Sequence, residues 1–420
     1  MNPEEKGWLS EYFSFKKSQV QNLTAEEIIR TSHPEYSLYR IIQPTGLMYG
    51  HTIGVTKHPA ANSWKERAKM KVMLADCLIS SSLLFHPTPI KNSEEFIATM
   101  ELALENIVKY YNNIFPEIAT SSKTLFGKRL STLQVAEKIL DKRIDKTHDF
   151  TKNFWTGFFH NSLLFLDVFL FTKWLHTKDD HIVIDFFRYE REELRFSVAK
   201  IIAAAAHSNH VVASEERKFF EYFIQSTDLP SRKRKEALKI FEEGVLVEDI
   251  NVSSENSWLL KKFFLEVAIL TLWADKEVQN EELVFINSLC SHFRFSQDDL
   301  ENSMIAIEGF VLEHWIELDH LQNKHNYEVV SNQFISRVAN IAEKNLSRLK
   351  GYFNQSEHLP FLMAKAEKEE LTPPEKELLR QELIKMLGQA PTFNIISLPQ
   401  TFLSLPVLMK IIPPEIFRKK

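Results

Sequence analysis

Glycine is unusually scarce in this chain. Only ten of the 420 residues are glycine, about a third of the usual share of roughly 7%. All-β proteins use glycine in turns, and nucleotide-binding enzymes use it in loops that hold phosphates. The scarcity disfavours both classes, and apolar residues recur at steps of three and four along most of the chain. We therefore predict an all-α, multi-helix bundle, with at most a short strand pair near the N-terminus, around 40–42 and 50–55.

The size and composition of the chain fit a globular protein with more than one domain. The chain exceeds the length at which one hydrophobic core stops growing, and 44% of its residues are hydrophobic while 25% are charged. We expect three regions. These are an irregular and helical N-terminal region over 1–190, tandem helical repeats over 191–325, and a long helix with a C-terminal segment over 326–420.

Charge and cysteine content limit the classes of function. The formal net charge of −5 argues against a protein that binds DNA through its phosphates. The two cysteines, Cys77 and Cys290, lie in apolar helical patterns, which is typical of a reducing compartment and excludes a metal site built on several thiolates. The first residues lack the basic head and apolar core of a secretory signal, so we expect a cytoplasmic protein.

The stretch 158–175 is apolar at most positions and raises the question of a membrane span. Asp167 and Lys173 would each cost about 2.5 to 3.5 kcal/mol near the centre of a bilayer, which offsets the gain from the apolar residues. Asn153, His160 and Asp167 recur every seven residues, so they would share one helix face. We expect a buried core helix with a polar seam that contains His160 and Asp167. The alternative is an intramembrane path for protons or ions.

An internal repeat lies in the middle of the chain, with a constant offset of 67 positions. The segments 208–215 and 275–282 each follow one apolar helical pattern and precede another; the first follows a helix expected over 191–206. The second turn reads Ala274-Asp275-Lys276-Glu277-Val278 and closes on Glu282. It resembles the tellurite-resistance TerB-type fold, whose turn reads Ala-Asp-Gly-x-Val-x-x-x-Glu, except that Lys276 replaces the glycine. The resemblance implies two helix-turn-helix units.

Acidic side chains in the second turn are candidate ligands for a metal ion. Carboxylates on successive helix ends supply the oxygen ligands that hard divalent cations prefer. The candidates are Asp275, Glu277, Glu281 and Glu282. The alternative is that these acids cap the following helix and complement its dipole. A divalent cation is the one cofactor that the sequence suggests, and the alternative of no cofactor stays open.

Two long amphipathic helices are expected after the repeat, over 297–321 and 327–352. One apolar seam steps by three or four residues through Phe334, Val338, Ile341, Asn345, Leu349 and Phe353. Such seams usually pack within one chain, and pairing with another protein is the alternative.

The C-terminal segment begins with a well-marked helix. Thr372 and Glu375 form a capping box, Pro373 takes the first helical position, and Gly388 ends the helix. An apolar series follows, and its prolines prevent one uninterrupted helix. Its motifs are Leu398-Pro399, Leu405-Pro406-Val407-Leu408, Ile412-Pro413 and Phe417. We call residues 393–417 the hook.

The order of the hook motifs resembles the ribosome-binding-like region of the LETM family, the leucine-zipper and EF-hand proteins of the mitochondrial inner membrane and their bacterial, biofilm-associated relatives. Gln400 and Thr401 replace the Gly-Gly pair of the family pattern. The resemblance implies docking to a protein partner or a ribosome, with peripheral membrane contact as a further option. The implied docking residues are Phe393, Leu398, Pro399, Phe402, Leu405, Pro406, Leu408 and Phe417. The alternative is a terminal segment that only packs over the core of its own chain.

Motifs for catalysis are missing from the sequence: there is no nucleophile elbow, phosphate loop, His-Glu-x-x-His zinc motif or dinucleotide fingerprint. We therefore expect a non-enzymatic interaction or scaffold protein, at the inner face of a bacterial cytoplasmic membrane and with a role in biofilm or surface physiology implied by the resemblance. The alternatives are a LETM-like membrane protein that handles cations or protons and a TerB-like module that binds a divalent cation. The sequence does not indicate the oligomeric state.

Overall fold

The computed structural model describes residues 1–20, 34–51, 58–86, 90, 92–123, 129–147, 154–177, 181–208, 212, 214–250, 257–272, 280–316 and 326–417. Most of these residues are helical, and the only β-pairing among them is an isolated bridge between Lys123 and Arg129. The predicted all-α fold is confirmed. The chain divides into two compact units, Met1–Thr271 and Leu272–Lys420. That boundary falls inside the predicted repeat region, and the division into three regions stays a prediction.

Unit 1 contains eleven helices within its described residues. They are α1 (Trp8–Val20), α2 (Pro34–Ile42), α3 (Glu66–Leu84), α4 (Ser93–Ile114), α5 (Thr132–Thr147), α6 (Phe154–Asn161), α7 (Leu163–Trp174), α8 (His181–Ala206), α9 (Ser214–Ser226), α10 (Ser231–Glu243) and α11 (Trp258–Leu272). The helices α3, α4, α5, α7 and α8 pack together, and α8, α9 and α10 form a second group.

The segment 40–42 is not a strand, contrary to the sequence prediction. It forms the last turn of α2, where Leu38, Tyr39 and Ile42 are buried. These positions step by one, three and four residues, which is the period of a helix face and not of a strand. Of the proposed second strand, residues 52–55 lie outside the described residues, and Gly50 follows a short 3-10 turn, Leu47–Tyr49.

The core of unit 1 is centred on α7. Eleven of its twelve residues are buried, and Lys173 is the exception. A helix that is apolar on all sides is typical of a protein core or a membrane span. Here the surroundings are protein, since α3, α4, α6 and α8 all pack against α7. No helix in the described parts of the chain has the length and apolarity that crossing a membrane requires.

The apolar stretch 158–175 forms two helices where the sequence predicted one. The break lies at Ser162, whose backbone remains close to helical with φ −59° and ψ −23°. Just before it, the Asn161 side chain donates a hydrogen bond to the Gly50 carbonyl at 3.1 Å. The buried core helix that we expected from the sequence is therefore the second part, α7.

The repeat corresponds to two helix pairs with matching boundaries. The helices α8 and α11 end at Ala206 and Leu272, and α9 and α12 (Asn280–His292) begin at Ser214 and Asn280. These boundaries agree with the predicted offset to within one residue. The repeat itself stays a prediction, since residues 209–211, 213 and 273–279 of its turns lie outside the described residues.

Unit 2 consists of helices that precede the hook and of the hook itself. After α12 come α13 (Gln297–Glu313), α14 (Tyr327–Lys344), α15 (Leu346–Gln355), α16 (Leu359–Ala366), α17 (Pro373–Leu387), a 3-10 turn (Pro391–Asn394), α18 (Leu405–Ile411) and a last 3-10 turn (Pro414–Ile416). The hook is therefore broken at its prolines, as predicted. The α17 helix starts and ends where the capping box and Gly388 indicated.

The apolar seam of 334–353 packs inside unit 2. Phe334, Val338, Ile341, Leu349 and Phe353 are at most 6% exposed. The helix is interrupted at Asn345, whose side-chain amide donates to the Ile341 carbonyl at 2.9 Å. Such a bond competes with the backbone ladder. The apolar seam therefore packs within the core of its own chain. It extends over two helices, α14 and α15, where the sequence predicted one.

Candidate functional site

Half of the eight predicted docking residues lie in the core of unit 2. Phe393, Pro399, Phe402 and Leu408 are buried; Leu398, Leu405 and Phe417 are half-buried; Pro406 is exposed. The Phe402 ring packs edge-on against Phe334 with centroids 5.4 Å apart, and Phe417 packs against Phe353 at 5.5 Å. The hook therefore covers the apolar seam, and only part of it is accessible to a partner.

Charged side chains from earlier helices hold the turn that follows Pro399. The Glu313 carboxylate at the end of α13 accepts hydrogen bonds from the backbone N–H groups of Thr401 and Phe402 at 2.9 and 3.1 Å. Arg380 of α17 donates to the Gln400 carbonyl at 2.9 Å. The only described non-glycine residues with positive φ lie elsewhere in the chain. The turn is therefore built without the left-handed backbone that a Gly-Gly pair permits.

One side of α18 is an accessible part of the hook. Leu408 and Ile411 are 0% and 1% exposed and anchor α18 in the core of unit 2. The helix packs against α14 and α17. Pro406 and Lys410 are exposed on the other side, together with Met409, which is 43% exposed. We call Pro406, Met409 and Lys410 the α18 face.

Asp167 of the predicted polar seam is the centre of a buried ion cluster. Arg143 of α5 donates to its two carboxylate oxygens at 2.5 and 2.9 Å, and the Tyr111 hydroxyl donates to Oδ2 at 3.0 Å. Asp167 and Arg143 are 1% and 2% exposed. His160 is half-buried on α6, and Asn153 lies outside the described residues. The described partners of Asp167 thus come from α4 and α5, which sequence periodicity along one helix could not reveal.

Electrostatics in this cluster favour neutral tyrosines around a charged pair. Burial, followed by the Asp167 charge, raises the pKa of Tyr110 and Tyr111 well above its ordinary value. Burial alone would lower the pKa of Arg143, but the Asp167 charge and hydrogen bonds raise it overall. The two tyrosines are therefore neutral and Arg143 is charged at neutral pH.

Two more arginines of α8 surround Phe115 beside this pair. The guanidinium carbons of Arg191 and Arg195 lie 4.6 and 5.9 Å from the ring centroid. Arg195 is 2% exposed and donates to the Thr227 carbonyl at 2.7 Å. Burial, and then the charges of Arg143 and Arg191, lower the pKa of Arg195 to about 10. Arginine side chains of α5 and α8 thus pack around the ring of Phe115, the residue that follows α4.

A second buried carboxylate, Glu266 of α11, was missed in the sequence. The hydroxyls of Tyr39 and Tyr49 donate to its two oxygens at 2.7 and 3.0 Å. Lys262 lies one turn earlier, with its Nζ 3.8 Å from Glu266 Oε1. Burial and then Glu266 raise the pKa of both tyrosines. The available signal was the pair Lys262 and Glu266, four residues apart in a mostly apolar run whose other charge is Lys261.

The candidate metal ligands stay a prediction. Asp275 and Glu277 lie outside the described residues, as does the side chain of Glu281, and Glu282 is 1% exposed on α12. Among the residues that the structure describes, no three His, Cys, Asp or Glu side chains are grouped to hold a metal ion.

Glu308 of α13 is a buried carboxyl group of unit 2 with a raised pKa. It is 0% exposed, and Arg337 of α14 donates to its Oε1 at 3.1 Å. Its Oε2 has no hydrogen-bond partner within the described structure. Burial raises the pKa of Glu308 to about 7, against the opposing attraction of Arg337. This group therefore titrates close to neutral pH.

Comparisons with known proteins leave the assignments from sequence as they stand. No family model matches the chain, and neither a curated protein nor a solved structure matches it. The likeness of the hook to the LETM family and of the repeat to the TerB-type fold therefore rests on the residues quoted for them, and both stay predictions.

Proposed function

We propose that the protein is a non-enzymatic interaction protein that docks through the α18 face. The observation that carries the proposal is the two-sided placement of α18. Leu408 and Ile411 fix this helix in the core, whereas Pro406, Met409 and Lys410 point away from it. A fixed helix with an exposed thioether loses little conformational freedom when a partner covers it.

The chemistry of the α18 face suits a small apolar pocket beside negative charge. Met409 supplies a flexible apolar side chain of the kind that is common at binding surfaces, and Lys410 supplies a cation next to it. A ribosome offers anionic RNA beside apolar protein pockets, so a ribosome or a ribosome-associated protein is the partner class that we favour. This choice of partner follows the resemblance of the hook to the LETM family. It uses only those residues of the hook that are exposed to solvent.

Point variants test this proposal better than removal of the hook. Deleting 393–417 would expose Phe334 and the rest of the seam, so loss of binding could reflect loss of folding. We expect Met409→Asp with Lys410→Glu to lower co-sedimentation with purified bacterial ribosomes at least tenfold. Phe361→Asp is the matched control, since Phe361 is 65% exposed on α16 of the same unit.

The possible outcomes of this experiment distinguish a ribosome from a membrane surface as the partner. Circular dichroism must show equal helix content and melting for all variants. If the wild-type protein does not pellet with ribosomes, or if the α18 variant pellets as well as the control, the proposal is wrong. Pelleting with anionic vesicles and not with ribosomes would instead assign the face to a membrane surface.

A further inference from the structure

Three exposed apolar side chains form a stripe along the first half of α8. Ile182, Phe186 and Tyr189 are 83%, 47% and 59% exposed. Their spacing of four and three residues places them on one helix face. Single exposed apolar residues are normal on a surface, but a contiguous row on one face marks an interaction site. We call these residues the α8 stripe.

The C-terminal end of the α8 stripe meets a basic helix start. The first turn of α10 contains Arg232, Lys233 and Arg234 and no acid, and Lys235 follows. Cations at a helix N-terminus oppose the helix dipole, so this turn is unfavourable for the folded chain alone. Arg232 and Lys235 are exposed, and the described structure gives neither of them an ion pair or hydrogen bond.

Lys233 joins the basic turn and the stripe into one surface. Its Nζ lies 5.1 Å from the Tyr189 ring centroid and 2.5 Å from Glu193 Oε1. Lys233 therefore places the start of α10 at the Tyr189 end of the stripe, where Glu192 and Glu193 pair with it. This arrangement does not depend on flexible loops, because both elements are helices that pack against each other.

An acid lies beside the other half of the stripe. The Asp185 side chain is 78% exposed, and its contact with Arg188 is loose, at 3.9 Å. The surface thus has a largely exposed acid toward its Ile182 end, and the exposed bases Arg232 and Lys235 lie on the helix that meets its Tyr189 end. Such a surface is complementary to itself when one copy is turned by a two-fold axis.

We propose that the α8 stripe is the contact surface of a homodimer, in which the α8 helices of two copies pack antiparallel. The apolar side chains then cover each other, and Asp185 of each copy approaches the basic turn of α10 of the other. An anionic lipid surface would attract the bases of α10 but repel Asp185, whereas a second copy supplies a partner for both signs of charge. The proposal concerns unit 1 and does not depend on the function proposed for the α18 face.

Sedimentation equilibrium of the full-length protein over a range of concentrations tests the proposal. We expect a monomer-dimer equilibrium in the wild-type protein. Replacing Ile182 and Phe186 by Asp should raise the dissociation constant at least tenfold, since central apolar contacts dominate interfaces of this kind. Leu102→Asp is the matched control, because Leu102 is exposed on α4, outside the stripe. Equal melting curves must accompany the comparison.

Charge exchange tests the antiparallel arrangement itself. Asp185→Lys alone, and Arg232→Glu with Lys235→Glu alone, should each weaken the homodimer by placing like charges together. Mixing the two variant proteins should restore a heterodimer, because each new lysine then meets the new glutamates. A wild-type protein that stays monomeric, stripe variants that dimerise normally, or variants that do not recover on mixing would overturn the proposal. Binding of a monomer to anionic vesicles through the stripe would also overturn it.

Discussion

Arg143 and Asp167 form a two-point ion pair that is wholly inside unit 1. The guanidinium Nε and Nη2 donate to Oδ2 and Oδ1 of the carboxylate at 2.5 and 2.9 Å. Taking both charges out of water is costly, and the pair offsets this cost only while both members are present. The Tyr111 hydroxyl occupies a further acceptor position of Asp167. The pair therefore makes the packing of α5 against α7 specific.

Replacing Asp167 by Asn should lower the unfolding free energy of unit 1 by about 3 to 5 kcal/mol, because Arg143 is left buried without its counter-charge. Urea unfolding followed by circular dichroism measures the change. The control is Glu242→Gln, which removes the partner of Arg217 in an exposed ion pair and should cost about 1 kcal/mol or less. Equal losses in the two variants would contradict the assignment.

Gly50 should not tolerate a side chain. Its φ of +69° is unfavourable for other residues, and an added Cβ would meet the Gly157 carbonyl and lie 2.7 Å from Phe158 Cα. We expect Gly50→Ala to cost at least about 3 kcal/mol from strain and overpacking. Gly351→Ala is the control: Gly351 lies within α15 with open space around it. That change should stabilise its helix by about 0.5 to 1 kcal/mol.

Unit 2 should become less stable as the pH rises toward neutral. The pKa of Glu308 is about 7 in the folded unit, against about 4.3 in an unfolded chain. Between these values the folded state binds the extra proton, so the unfolding free energy falls with rising pH, by up to about 4 kcal/mol, and then levels off above pH 7. Hydrogen exchange of α13 amides, corrected for intrinsic rates, measures this slope.

Glu308→Gln should remove most of that pH dependence, because the amide does not titrate. Glu343→Gln changes an exposed carboxylate on the neighbouring α14 and serves as the control. If both variants keep the slope of the wild-type protein, another group is responsible for it.

The capping box of α17 should make a measurable contribution to unit 2. The backbone N–H and the hydroxyl of Thr372 donate to Glu375 Oε2 at 2.9 and 2.8 Å, and Lys365 donates to Oε1 at 2.7 Å. Thr372→Ala should cost about 1 kcal/mol, and Glu375→Ala should cost more because it removes all three bonds. Glu370→Ala, at an exposed pair with Lys376, is the control. Thermal melting ranks the three variants.

Local signals in the sequence predicted the helices well. Glycine scarcity and apolar periodicity gave the fold class, and Thr372, Glu375 and Gly388 marked both ends of α17. The break at Asn345 was not predicted, because an asparagine forms a local bond to the Ile341 carbonyl only in one of its accessible geometries. The segment 40–42 was misassigned because a short apolar run fits both a strand and a helix turn.

The candidate site was harder to predict, because its members meet only in three dimensions. Asp167 was correctly expected in a buried polar seam, but its partners Arg143 and Tyr111 lie 24 and 56 positions away in the sequence. The hook was recognisable from Leu398-Pro399 to Phe417, yet composition does not distinguish an apolar segment that binds a partner from one that covers its own core. The pairing of Phe402 with Phe334 decides in favour of the core for that side chain.

The contact between Phe402 and Phe334 also constrains how unit 2 matures during synthesis. A ribosome makes α14 well before residue 402, so the part of α14 around Phe334 that Phe402 covers stays exposed until the hook has been made. Chains that end before residue 402 would expose apolar side chains of α14 to chaperones and proteases. Stop codons that end the chain before residue 402 should therefore eliminate the protein and not merely shorten it.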